Sequence, residues 1–183
     1  LFAPLAHRFG LFSVTSQLED LSFKILDPDA YEHIVDRLEE MAEQREAYIA
    51  DFIDPLEEHL EEEGYEFDVY GRVKNVYSIH RKMKRKNKPI DEIYDIFAIR
   101  VILQSDGPKG KEDCWRVYSL VTDLYKPLPE RFRDFISVPK SNGYQSLHTT
   151  VFGPGGRRVE VQIRTQEMHE VAERGVAAHW KYK

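Results

Sequence analysis

The chain has 183 residues, 42% hydrophobic and 32% charged, with a net charge of −6. That is the length and mix of a folded domain that buries its own core, so a disordered tail and a disulfide- or metal-stapled miniprotein are excluded. No apolar run approaches the ~20 residues that span a bilayer, and the acidic sum argues against coating nucleic acid through bulk charge. Cys114, the sole cysteine, offers neither an internal disulfide nor a thiolate zinc site, so a reducing, cytoplasmic setting is expected.

From residue 1 to about residue 63 the pattern is helical. Ile34, Leu38, Met41, Tyr48, Phe52, Leu56 and Leu60 recur at helical spacing, with Pro28 placed to open a new helix and Pro55 expected to kink or interrupt a long one. Acidic residues crowd this third, as in Glu57-Glu58-His59-Leu60-Glu61-Glu62-Glu63, and Gly64 fits a C-terminal stop. The opening on Leu1 rather than Met is expected of a piece of a longer protein.

After Gly64 the period becomes two. Phe67, Val69, Gly71 and Val73 alternate with Asp68, Tyr70, Arg72 and Lys74, a strand with one polar face. A basic helix is expected over 76–87, then a central strand over the apolar run Ile96–Leu103. Lys109-Gly110-Lys111 reads as a loop and 113–125 as a helix. Pro127 and Pro129 punctuate a connection to two strands, 146–152 and 158–164, joined by Gly153-Pro154-Gly155-Gly156. An amphipathic helix over 166–180 closes the chain. The fold class expected is α+β: a mixed sheet flanked by helices, behind a helical N-terminal lobe.

The hairpin carries the densest chemistry. If Val151 pairs with Val159, then Thr150 lies opposite Glu160, His148 opposite Gln162 and Ser146 opposite Arg164, which puts every polar side chain on one face. A carboxylate, an amide, a guanidinium, an imidazole and hydroxyls together suit a binding site better than a solubilising surface. Asp95, at the head of the most apolar strand, and Glu160 are candidate ligands for Mg²⁺, which favours one or two carboxylates plus substrate phosphates. Arg72 and Lys74, followed by Arg81, Lys82, Lys84, Arg85, Lys86 and Lys88, can neutralise a triphosphate, and Arg131, Arg133 and Lys140 add charge before the hairpin. Asn142-Gly143 is a turn signal, and Tyr144 beside it offers a ring to a base. Walker A, GxGxxG, GxSxG and HExxH motifs are absent.

These residues carry a resemblance. Gly71-Arg72-Val73-Lys74, Tyr77-Ser78-Ile79, Tyr94–Val101, Asn142–Thr150, Glu160–Thr165 and Ala177-Ala178-His179-Trp180 match, in order, the synthetase domain of the RelA/SpoT alarmone enzymes. The resemblance implies a nucleotidyltransferase-like sheet that transfers pyrophosphate from ATP to the 3′-hydroxyl of GDP or GTP. It implies that Asp95 holds Mg²⁺ and that Glu160 sits at the acceptor hydroxyl as base or second metal ligand. Tyr144 would stack on guanine with Asn142 nearby, and Arg72 would lie against adenine. Lys74, Ser78, Lys82, Lys140 and His148 would address phosphates, and Gln162 would support the acceptor. Arg131-Phe132-Arg133-Asp134 is similar to the basic Arg-x-Lys-Asp stretch of long bifunctional members, with Arg in place of Lys, and its two arginines join the ATP set.

By the same resemblance, residues 1–63 are a helical segment linking to a hydrolase domain absent from this chain, and residues 64–183 are the synthetase domain. The longer protein would be expected to meet the ribosome and tRNA, while this stretch binds no nucleic acid directly. Two other readings stay open at this point: a nucleic-acid module using the basic helix, and a catalytically silent regulatory fragment.

Overall fold

A computed structural model describes residues 2–174. Four helices open the chain: α1 (Phe2–Arg8), α2 (Phe12–Leu26), α3 (Pro28–Glu40) and α4 (Ala42–Glu62). Pro28 takes the first helical position of α3, where its missing N–H costs nothing, and the Asp27 carboxylate accepts from Ala30 N. Gly64, at φ +74°, ends α4 in the left-handed region that glycine enters freely. Pro55 does not interrupt α4, contrary to expectation: the helix runs through it from Ala42 to Glu62. Phe52, Leu56 and Leu60 are fully buried on either side of that proline, and this packing outweighs the lost backbone hydrogen bond.

Among the described residues the sheet has five strands, β1 (Phe67–Val73), β2 (Phe97–Leu103), β3 (Arg133–Asp134), β4 (Leu147–Phe152) and β5 (Arg158–Thr165), in the order β1-β2-β5-β4-β3. Only β2 and β5 run parallel; the other pairs are antiparallel, so the sheet is mixed. Helices α5 (Val76–Lys86) and α6 (Gly107–Leu124) lie between strands, and α7 (Gln166–Arg174) follows β5. The expected closing helix is present over its first nine residues; the rest of it, with the Ala177–Trp180 motif, lies outside the described residues.

One face of the sheet is apolar. Ile99, Val101, Val161 and Ile163 are fully buried there with Phe52, Leu56 and Leu60 of α4 and Val117 and Val121 of α6, so helical segment and sheet share one core. Helix α6 begins six residues earlier than expected and absorbs Lys109-Gly110-Lys111, which composition alone assigns to a loop. Pro108 sits within its first turn, and a Cβ on Gly110 would meet the Ser105 carbonyl oxygen at 2.5 Å and Thr165 Cγ2 at 2.7 Å. Glycine there permits close helix–sheet approach rather than marking a break. The opposite face, carrying Arg72, Arg100, Glu160, Gln162 and His148, turns toward α2, α5 and α7.

Candidate active site

The hairpin register is the one the alternation implies: Val151 pairs with Val159, Thr150 with Glu160 and His148 with Gln162. Val159, Val161 and Ile163 are buried while Glu160 and Gln162 are half-buried, so a period of two delivers the polar side chains to one surface. Its far end departs from expectation. Ser146 and Arg164 are 0% and 1% exposed, so they form buried support rather than an open polar face. Ser146 Oγ donates to the Ile163 carbonyl at 3.0 Å, and Arg164 bonds His169 Nδ1 at 2.7 Å.

Two carboxylates meet around one ammonium. The turn before β2 places Asp95, β5 places Glu160, and the residue after β1 places Lys74. Lys74 Nζ lies 2.6 Å from Glu160 Oε2 and 4.0 Å from Asp95 Oδ2. Lys82, on α5, donates to Asp95 Oδ2 at 2.5 Å and to the Asp95 carbonyl at 3.1 Å, and Lys86 approaches Oδ1 at 3.6 Å. Gln162 Nε2 donates to Glu160 Oε1 at 2.9 Å, and His148 Nδ1 stands 3.6 Å from the same oxygen.

Burial opposes ionisation of Asp95, but the Lys82 ammonium bonded to it, with Lys74 and Lys86, outweighs burial and holds the carboxyl down at about 2. Burial likewise opposes ionisation of Glu160, and Lys74 overrides it and lowers that carboxyl too, so both are charged at neutral pH. Lys82 is brought down to about 8 by burial and by repulsion from Lys74.

His148 behaves differently from a phosphate-seeking cation. Burial pushes it down to about 4, so it is neutral at pH 7, and Nε2 shares a 2.7 Å hydrogen bond with the Tyr144 hydroxyl. Its folded value lies below the unfolded one near 6.5, so between those values the unfolded chain binds more protons. Stability is therefore complete above about pH 6.5 and declines as pH falls toward 4, by up to ~3 kcal/mol. We predict that His148→Gln flattens this slope in urea titrations at pH 7 and pH 4.5. The smaller downward shifts of His80 and His169, driven by burial, remain in both proteins. An unchanged slope would remove His148 as its origin.

The site opens as two clefts on either side of this centre. One, of about 290 Å³, is lined by Arg85, Lys86, Arg131, Arg133 and Arg158 around Asp95 and Glu160. The other, of about 270 Å³, is lined by Arg72, Lys74, Ser78, Arg100, Lys140, Tyr144, Gln162 and Arg164, with Glu173; His148 borders both. The residues expected to bind ATP are thus divided, with Arg72, Lys74 and Ser78 in the second cleft and Arg131 and Arg133 in the first. Lys82 joins them through Asp95. Of the remaining basic residues, Lys88 instead pairs with Glu92 at 2.9 Å.

Tyr144 is only 8% exposed. Phe12 of α2 meets its ring edge-on at 5.6 Å, and Lys140 Nζ lies 5.0 Å from its centroid. Asn142 Oδ1 accepts from Tyr144 N at 3.3 Å, which fixes the turn. A base stacking on this ring would take the place of Phe12 or Lys140.

Arg100, inside the apolar run, is a site residue that sequence reasoning passed over. It pairs in register with Gln162, donates to it at 3.4 Å and bonds Glu173 at 2.9 Å. The only signal was a lone charge within a fully buried strand.

The residues fit a magnesium ion. Among the described residues the buried Asp95 Oδ1 accepts no hydrogen bond, and the Lys74 ammonium between the two carboxylates marks that space as one that takes a cation. Among the described residues no group of three or more His, Cys, Asp or Glu converges for a metal; Mg²⁺ commonly takes one or two carboxylates plus substrate phosphates. Among the same residues no helix is long and apolar enough to cross a membrane.

Residues 71–183 match the family profile described as a region found in RelA / SpoT proteins. The whole chain is 50% identical to a probable guanosine-3′,5′-bis(diphosphate) 3′-pyrophosphohydrolase of Synechocystis sp. and 46% identical to the GTP pyrophosphokinase of Escherichia coli. It spans 24% of the length of each. Its fold is similar to the small alarmone synthetase 1 of Bacillus subtilis bound to its product pppGpp. That likeness has a TM-score of 0.57 at 26% identity and covers 81% of this chain and 83% of the other.

Proposed function

Because this chain belongs to the RelA/SpoT family, we propose that it is an ATP:GDP/GTP 3′-pyrophosphotransferase domain working in the cytoplasm. The observation that carries the proposal is the Asp95–Lys74–Glu160 cluster set between two cationic clefts. One carboxylate pair serving two polyphosphate-sized basic clefts suits transfer between two nucleotides, and it is more than a nucleic-acid groove needs. The relatives named GTP pyrophosphokinase and alarmone synthetase support the same reading.

In this mechanism the acceptor 3′-hydroxyl oxygen attacks the ATP β-phosphorus. The bond from that phosphorus to the oxygen bridging the α-phosphate breaks, AMP leaves with the electron pair, and the hydroxyl proton passes to Glu160 and on to solvent. Glu160, fixed by Lys74 and Gln162, holds the hydroxyl in line. Lys74, Lys82 and Lys86 neutralise phosphate charge from the α5 side, while Arg131 and Arg133 do so from the β3 side. Asp95 and Glu160 would hold Mg²⁺, which when bound supplies further neutralisation of the polyphosphate.

Incubation with ATP, GDP and Mg²⁺ followed by nucleotide separation tests the proposal. AMP and a guanosine tetraphosphate in equal amounts are expected; intact substrates would instead favour a silent regulatory fragment.

A further inference from the structure

Three guanidinium groups on neighbouring strands face the second cleft: Arg72 on β1, Arg100 on β2 and Arg164 on β5. Arg100 and Arg164 are 6% and 1% exposed, so water does little to screen them from one another. For Arg72 and Arg164, burial and then the charge of Arg100 depress the guanidinium below its ordinary value. Glu173 on α7 is the sole carboxylate among the described residues lining this cleft. Its carboxyl is lowered by Arg100, Arg72 and Arg164, against the opposing effect of burial.

The three arginines do not depend on Glu173 equally. Arg164 keeps its 2.7 Å bond to His169 and a fully buried stem, and it lies 3.6 Å from Glu173. Among the described residues Arg100 has a direct 2.9 Å ion pair with Glu173 and otherwise a 3.4 Å contact to Gln162. A long side chain repelled by two like charges and anchored by one carboxylate loses its orientation when that carboxylate is neutralised.

We propose that Glu173 is a positioning residue that holds the Arg100 guanidinium on the cleft wall beside Arg72, where the two together receive the donor nucleotide. The inference rests on the transferase reading for the identity of that nucleotide, with the donor at the Arg72–Arg100 end of this cleft and the acceptor at its Tyr144–Lys140 end. Glu173 itself touches no reacting atom; it acts through Arg100. It also keeps the cleft from becoming a general anion trap, since without it five cationic side chains (Arg72, Lys74, Arg100, Lys140 and Arg164) face the same space with no carboxylate on the wall.

The test compares wild type, Glu173→Gln and Glu173→Asp. ATP binding is measured by calorimetry with no acceptor present, and KM and kcat are measured separately for ATP and GDP. Glu173→Gln is expected to weaken ATP binding and raise its KM by about tenfold or more, the scale of one charge-assisted bond. KM for GDP and kcat should stay within about threefold, well under the tenfold step of a lost contact. Glu173→Asp is expected to recover part of the ATP affinity; should the Gln variant fail to fold, the Asp variant carries the same split at smaller size. A melting temperature that falls while ATP affinity holds, or an equal loss toward GDP, would overturn the proposal. The acceptor-free arm separates this inference from the function: a wild type that makes no tetraphosphate defeats the transferase reading, while the ATP dissociation constants still decide the role of Glu173.

Discussion

Glu160→Gln is expected to lower alarmone synthesis by ~10²–10⁴-fold, the range that a positioned acid–base group contributes. The substitution is nearly isosteric, and its neighbours show why the fold should tolerate it. The amide oxygen of the substituted side chain can still accept from Lys74 or Gln162, which in the wild type bond the carboxylate at 2.6 and 2.9 Å. Lys74 also keeps Asp95 at 4.0 Å as a second counter-charge. On the proposed mechanism, what disappears is the negative charge at the acceptor hydroxyl. Lys74 holds the Glu160 carboxyl below its ordinary value, so the group is a modest base and a good ligand. On the proposed mechanism its larger contribution is therefore to orient the hydroxyl and share the cation rather than to bind a proton tightly. Two measurements follow. The acid limb of the wild-type rate profile should fall below the ordinary carboxylate range, and Glu160→Gln should melt close to wild type. Turnover within a few-fold of wild type in a folded Glu160→Gln protein would remove Glu160 from the chemistry.

Local pattern revealed the part of this site that lies along one strand pair. Val159, Val161 and Ile163 fix which face of β5 is buried, and one assumed pair, Val151 with Val159, then sets Thr150 against Glu160 and His148 against Gln162. What stayed hidden depends on other elements. Arg100 sits among Phe97–Leu103, and a fully buried strand has no alternation to say which face a lone arginine takes. Its meaning comes from Gln162 and Glu173, 62 and 73 residues away. Gly107, Pro108 and Gly110 are read as breakers by propensity, yet the first two open α6 and the third lets it lie against Ser105 and Thr165. The cover that Phe12 places on Tyr144 crosses most of the chain, from α2 to the turn before β4, and no periodicity encodes it. The division of the arginines into two clefts is a matter of which side of the Glu160–His148 ridge each strand end reaches, which spacing alone does not carry.

Asp95→Asn should cost at least ~10²-fold in turnover, because on the proposed mechanism it removes the carboxylate that Lys74, Lys82 and Lys86 surround, where phosphate charge is to be neutralised. The structural cost should be smaller. Asp95 is in the partly exposed range, with 36% of its side chain accessible, and Lys82 retains the residue's own carbonyl at 3.1 Å. A loss of about 1–3 kcal/mol is expected, between the values for exposed and fully buried pairs. The Asp95 carboxyl titrates near 2 against an unfolded value near 3.8, so the stability it contributes is present above about pH 4 and disappears as pH falls toward 2. At neutral pH the whole contribution is therefore exposed to mutation. Magnesium titration separates the two roles open to this residue. If Asp95 is a ligand, the Mg²⁺ concentration for half-maximal activity rises at least about tenfold in Asp95→Asn, one carboxylate of a site completed by substrate phosphates being lost. If Asp95 only gathers Lys74, Lys82 and Lys86, the Mg²⁺ dependence stays put while KM for ATP climbs, because three ammonium groups then lose their common anchor. Oδ1, which among the described residues accepts no hydrogen bond and has the Lys86 ammonium at 3.6 Å, favours the first outcome.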